Sequence, residues 1–153
     1  MCFSAPVICQ EMASFLLDNY ASQQIKNVRQ GYHQKAMQTK KYLDEYLGSF
    51  LSEYTGGQAG FYYYLTFRQI ETDENSKFFK FLTRTTCQPE IDGPNNNKNP
   101  RVIYIPGQFC VHNKGSLTEL GKRQLRLSYG FEEMDNILKA IQLMKEAAVY
   151  SLQ

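Results

Sequence analysis

Phe61-Tyr62-Tyr63-Tyr64-Leu65-Thr66-Phe67 is the segment on which the fold turns. Every residue in it is aromatic, aliphatic or β-branched, the composition of a strand. The lack of polar alternation fits a strand covered on both faces, or one whose tyrosine hydroxyls reach water on one side. Just before it, Thr55-Gly56-Gly57-Gln58-Ala59-Gly60 reads as a turn. Downstream, Val102-Ile103-Tyr104-Ile105 is expected to form a second strand, stopped by Pro106-Gly107. Gln124-Leu125-Arg126-Leu127-Ser128-Tyr129 alternates as a third, with the two leucines on one face and Arg126 and Ser128 on the other.

Helical patterns flank these strands. Ser4-Ala5-Pro6 is a helix start, with Ser4 as N-cap and Pro6 in the first turn, ahead of the apolar stripe Val7, Ile8, Met12, Phe15 and Leu16. A break is expected near Asn19-Tyr20-Ala21-Ser22. A longer helix then carries Ile25, Val28, Tyr32, Ala36, Thr39, Leu43, Tyr46 and Phe50 in steps of three and four. At about 1.5 Å per residue it would approach 40 Å, more than a compact domain of this size needs. Asp73-Glu74-Asn75-Ser76 caps a short helix over Lys77–Thr85, and a final helix carries Met134, Ile137, Ile141, Met144 and Ala148. Residues 88–100, rich in Pro, Gly and Asn, are expected to be a mobile loop. The fold class expected is α+β, a small mixed β-sheet of three to four strands packed by helices, with a long N-terminal helix. The 153 residues suit one domain, with a helical segment over 4–50 and an α/β core over 56–153.

Composition narrows the function. Seventeen Lys+Arg against 15 Asp+Glu leave a net charge of +2 with the signs interspersed, which disfavours electrostatically held nucleic acid. The apolar runs are too short to span a bilayer, and Met1-Cys2-Phe3 does not open a signal peptide, so a cytoplasmic protein is expected. Cysteines 2, 9, 87 and 110 and histidines 33 and 112 show no metal-ligand or disulfide spacing, and the thiols are expected to be reduced and in the core.

Individual motifs have mostly structural readings. Gly56-Gly57-x-x-Gly60 lies between a helix and a following strand, whereas a nucleotide loop lies between a strand and a following helix. The aromatic strand resembles the base-stacking strand of an RNA-recognition module. However, Ala59 stands where the basic residue belongs and Tyr62 where a small one does, so packing is the better reading. His33 and His112 belong to no catalytic set. Arg126 is different, because a guanidinium held on a rigid strand is suited to bidentate grip of a carboxylate.

In order along the chain stand Pro6 and Gln10, Arg29 and Tyr32, Gly56-Gly57 with Gly60-Phe61-Tyr62, Ile105-Pro106-Gly107, and Arg126-Leu127-Ser128-Tyr129 before the last helix. This series resembles the C-terminal small domain of the fold-type I, class I/II pyridoxal-phosphate (PLP) aminotransferases. It covers nearly the whole chain. Each motif is weak alone, and the order carries the resemblance.

The resemblance implies that Arg126 binds the substrate's α-carboxylate. It places the Schiff-base lysine, the acid on the pyridine nitrogen and the phosphate-binding residues in a large domain. Ser76-Lys77, the only Ser-Lys pair, does not resemble the lysine motif and follows the Pro/Gln helix, whereas the family's lysine precedes it. PLP is therefore expected in the full-length enzyme and not on this chain alone, which would be inactive. The implied partners are the missing large domain, a second subunit of a homodimer, and amino acid and 2-oxo acid substrates, with no nucleic acid or membrane. The long loop at 87–101 and the reduced aromatic pair Phe109-Cys110 depart from the family pattern, so substrate class does not carry over. Two other readings stand beside it: a free-standing, non-catalytic interaction domain of the same fold, and RNA binding through Tyr62-Tyr63-Tyr64.

Overall fold

A computed structural model of the protein describes residues 5–94 and 98–153. Two helices, α1 (Val7–Asn19) and α2 (Ala21–Tyr42), meet at Tyr20, within the stretch where the sequence predicts a break. The Ser4 cap lies outside the described residues. Pro6 stands at the cap position, and its carbonyl accepts the N–H groups of Cys9 and Gln10. A π-helical turn, Leu43–Leu47, continues α2 and places Leu43 and Leu47 in the core.

The sheet has four strands in the order β1 (Leu51–Gly56), β2 (Tyr62–Phe67), β4 (Gln124–Ser128), β3 (Ile105–Pro106). The α+β architecture with a small sheet and a long N-terminal helix is borne out, but every strand pair is antiparallel, so the sheet is not mixed. The β1–β2 turn makes a hairpin, and the long excursion between β2 and β4 brings the chain back in the opposite direction.

Of the second expected strand only Ile105 joins the sheet, and Pro106, expected to stop the strand, pairs within it. Val102 and Tyr104 are buried while Ile103 stays in solvent, as alternation predicts, but the ladder to β4 begins only at Ile105. The Tyr104 hydroxyl donates to the Thr72 carbonyl at 2.8 Å, and the Val102 N–H donates to the carbonyl of Leu82, so this segment is held largely from outside the sheet.

One face of the sheet carries the core. Tyr63, Leu65 and Phe67 of β2, with Leu125 and Leu127 of β4, lie under α3 (Lys77–Thr83), α6 (Met134–Ser151) and the end of α2. Ser76 caps α3 as expected, its hydroxyl accepting the Phe79 N–H at 3.1 Å. The apolar stripe of α2 divides: Ala36, Thr39 and Leu43 are buried, whereas Ile25 and Val28 are 48% and 42% exposed. The α1 helix buries no residue at all.

The described part of the 88–100 loop is tied down. A short helix, α4 (Pro89–Asp92), ends in a buried carboxylate. Asp92 accepts the Thr86 N–H and hydroxyl on one oxygen, at 3.1 and 2.9 Å, and the Cys87 N–H on the other at 3.0 Å. Its own carbonyl accepts from Asn99. Residues 95–97 lie outside the described residues. Burial opposes the charge of Asp92, but the Thr86 and Cys87 donors and the positive Lys98 outweigh it and hold the pKa below the usual carboxylate value.

A carboxyl whose folded pKa is depressed stabilises the fold above its unfolded pKa of about 3.9, and that contribution is lost as pH falls through the folded value. Asp92→Asn should therefore cost about 1–3 kcal/mol at pH 7. The difference from wild type should narrow below about pH 4. Urea unfolding at pH 7 and pH 3 measures it, and a difference independent of pH would contradict the assignment.

Candidate functional site

The other face of the sheet is covered at Thr66 and Gln124, which are buried, and opens toward Tyr62 and Ser128, with Arg126 of β4 between. The alternation expected from sequence holds: Leu125 and Leu127 are buried, Arg126 is half-buried and Ser128 is exposed. Arg126 stands opposite Tyr64 of β2 and Ile105 of β3, so it is flanked on both sides by strands and is not at an edge. Its guanidinium carbon lies 5.2 Å from the centroid of the Tyr62 ring, a cation–π contact that steadies the side chain. Among the described residues Arg126 makes neither a salt bridge nor a side-chain hydrogen bond. A half-buried cation with an unused donor fork on a rigid strand is equipped to take a carboxylate from outside the chain.

Its floor is a short polar relay that sequence reasoning did not find. The Tyr64 hydroxyl donates to Gln124 Oε1 at 3.2 Å, and Gln124 Nε2 donates to Thr66 Oγ1 at 3.1 Å. Burial pushes the Tyr64 hydroxyl pKa up, with a further upward contribution from the neighbouring Cys110 thiol, so Tyr64 stays a neutral donor near pH 7. The available signal was the spacing of two, which puts Tyr62, Tyr64 and Thr66 on the face that β4 marks with Gln124 and Arg126. Pro106-Gly107 closes one side. A Cβ at Gly107 would stand 2.5 Å from that of Gln124 and 2.7 Å from the Gly121 carbonyl, so this turn tolerates only glycine.

Of the remaining sequence candidates, only Cys110, beside Tyr64, adjoins this face. Cys9, Cys87 and Cys110 are free and exposed, correcting the expectation of core thiols, while Cys2 lies outside the described residues. The alternation that selects Arg126 sends Tyr63 inward, where its hydroxyl donates to the buried carbonyl of Ala36, leaving Tyr62 as the exposed ring of the triplet. His33 and His112 are both exposed, and His112 Nδ1 accepts the Lys114 N–H. Ser76 is used as a helix cap and Lys77 is exposed on α3. Among the described residues no group of three His, Cys, Asp or Glu is placed to hold a metal, and no helix is long and apolar enough to cross a membrane.

The residues around Arg126 do not by themselves fit PLP. None of the four strands carries a lysine to take the aldehyde or an aspartate to meet a pyridine nitrogen. What the face offers is an arginine with its donor fork unused among the described residues, bordered by Tyr62 and Tyr64.

No family model matches the chain, and no curated protein does. Among solved structures it is similar to the crystal structure of LysN, α-aminoadipate aminotransferase, complexed with N-(5'-phosphopyridoxyl)-L-leucine, from Thermus thermophilus. The TM-score is 0.69 at 22% sequence identity. The alignment covers 94% of this chain and 31% of that one, so the chain spans about a third of the neighbour's length. At that identity the likeness establishes the fold: this chain is folded like one part of an aminotransferase subunit.

Proposed function

We propose that residues 1–153 are the C-terminal small domain of a cytoplasmic, PLP-dependent aminotransferase, and that Arg126 binds the α-carboxylate of its amino acid and 2-oxo acid substrates. The observation that carries this reading is the uncommitted guanidinium of Arg126 where this sheet face opens, in a fold similar to part of an aminotransferase. A carboxylate gripped there would be fixed relative to the sheet, and the geometry of the reacting carbon would follow from that anchor. PLP, held by a large domain, would supply the electron sink for amino-group transfer. The large domain, and a second subunit, would also cover the apolar residues that α1 and the start of α2 leave in solvent.

The chain alone should be inactive. Titration of the purified chain with PLP should give no stable visible aldimine band and no transaminase turnover, and the appearance of both would overturn the claim that the cofactor lysine lies elsewhere.

The same exposed apolar helix faces favour a second reading, a free-standing interaction domain that keeps the fold without the chemistry. The mass of the native gene product separates the two, because an aminotransferase subunit should be more than twice this length. RNA binding through the aromatic strand is the weakest reading, and single-stranded RNA should leave tyrosine fluorescence unchanged at low salt.

A further inference from the structure

A second uncommitted arginine faces a different cleft. Arg29 and His33 lie one turn apart on α2, on a flank that faces the β1–β2 turn. Between them is a cleft of about 520 Å³, walled also by Tyr32, Gly57, Gly60 and Tyr129. No acidic residue lines it, and among the described residues Arg29 makes no salt bridge. The turn contributes donors as well: the N–H groups of Gly57, Gln58, Ala59 and Gly60 reach no protein acceptor among the described residues.

The turn is held in place from beneath. Tyr129 donates its hydroxyl to the Gly60 carbonyl at 3.1 Å, and the N–H of Tyr129 donates to the Phe61 carbonyl. Gly57 has φ +77°, and a Cβ there would overlap the Tyr63 hydroxyl oxygen. That hydroxyl is itself fixed on Ala36 of α2. The donors of the turn and the Arg29 and His33 side chains of the helix are therefore borne on elements that are tied together.

We propose that this cleft binds a phosphate monoester. A guanidinium fork, an imidazole and a run of free backbone N–H groups offer more donors than the two oxygens of a carboxylate accept, and suit the three terminal oxygens of a phosphate ester. The cleft is larger than the anion alone, and the Tyr32 ring offers a surface on which the organic part lies. The turn is not a nucleotide loop, since the phosphate sits against the side of a helix and not at a helix N-terminus. The inference does not need Arg126 to bind a carboxylate and uses none of the residues around it.

Amide-resolved NMR titration of the purified chain with phenyl phosphate and, separately, with inorganic phosphate tests it. Both should shift the Gly57–Gly60 amides to saturation, phenyl phosphate at lower concentration. Arg29→Gln should weaken both by about tenfold or more, the loss of one charge-assisted contact. His33→Asn should weaken them less, and Arg126→Gln should change neither. Unshifted turn amides, or wild-type affinity in Arg29→Gln with its spectrum otherwise native, would overturn the site. Equal affinity for the two probes would overturn the assignment of an organic ester.

Discussion

Replacing Phe78 by alanine is expected to lower the stability of the fold by about 3–5 kcal/mol. Phe78 is fully buried on α3, with its ring centroid 5.1 Å from that of Phe67 on β2 and 5.9 Å from that of Tyr104. It therefore joins helix, central strand and the segment leading to β3 at one point. Truncation would remove the transfer free energy of the ring and leave a cavity between elements whose backbones are fixed by Tyr104–Thr72 and the β2–β4 ladder, so the void would collapse only in part. Against a total of about 5–15 kcal/mol, that is enough to leave a sizeable unfolded fraction at moderate temperature.

Phe15→Ala is the matched control: the same change on α1, where the ring is 57% exposed, should cost less than about 0.5 kcal/mol. Urea unfolding of the three proteins measures both. A midpoint shift for Phe78→Ala no larger than that for Phe15→Ala would contradict the core placed here.

The contrast between those two phenylalanines marks the limit of what the sequence discloses. Period-3.6 patterning places both on apolar helix stripes, and both helices exist. Periodicity reports that a face is apolar, but the face is buried only where something else in the same fold reaches it. The α2 stripe shows this within one helix, buried from Ala36 onward and open before it.

The strands follow the same logic. β2 and β4 were legible because they are central and carry dense apolar residues. β1 gave no comparable signal, since an edge strand reading Leu-Ser-Glu-Tyr-Thr-Gly buries little beyond Leu51. The segment before β3 has a strand's side-chain pattern but satisfies its backbone mostly through loop and helix partners.

At the site, Arg126 was found by alternation, a local property. Its Tyr64–Gln124–Thr66 floor required knowing which residues of β2 and β4 face each other. Local signals are readable residue by residue, whereas register is fixed only when the strands pair.

Expressed together with a PLP-binding large domain that restores transaminase activity, the chain carrying Arg126→Gln should lose kcat/KM by roughly thirty-fold to several-thousand-fold. The range corresponds to the about 2–5 kcal/mol lost when one partner of a hydrogen-bonded charge pair is removed in a desolvated site. The size follows from what replaces the guanidinium: a neutral amide with one NH₂ group leaves the carboxylate with fewer donors and no countercharge.

Arg126→Lys should recover only part of the loss, because an ammonium restores charge without the planar fork that fixes the carboxylate in two dimensions. The loss should fall on both parameters, in KM because the anchor holds the ground state and in kcat because a loosely held carboxylate lets the reacting carbon drift. Stability should barely change, since Arg126 is half-buried and, among the described residues, its side chain makes no ion pair or hydrogen bond. Steady-state kinetics alongside urea unfolding separates these effects. A Gln variant with kcat/KM near wild type would remove Arg126 from the site, and a loss of activity that merely tracked unfolding would assign it to the scaffold.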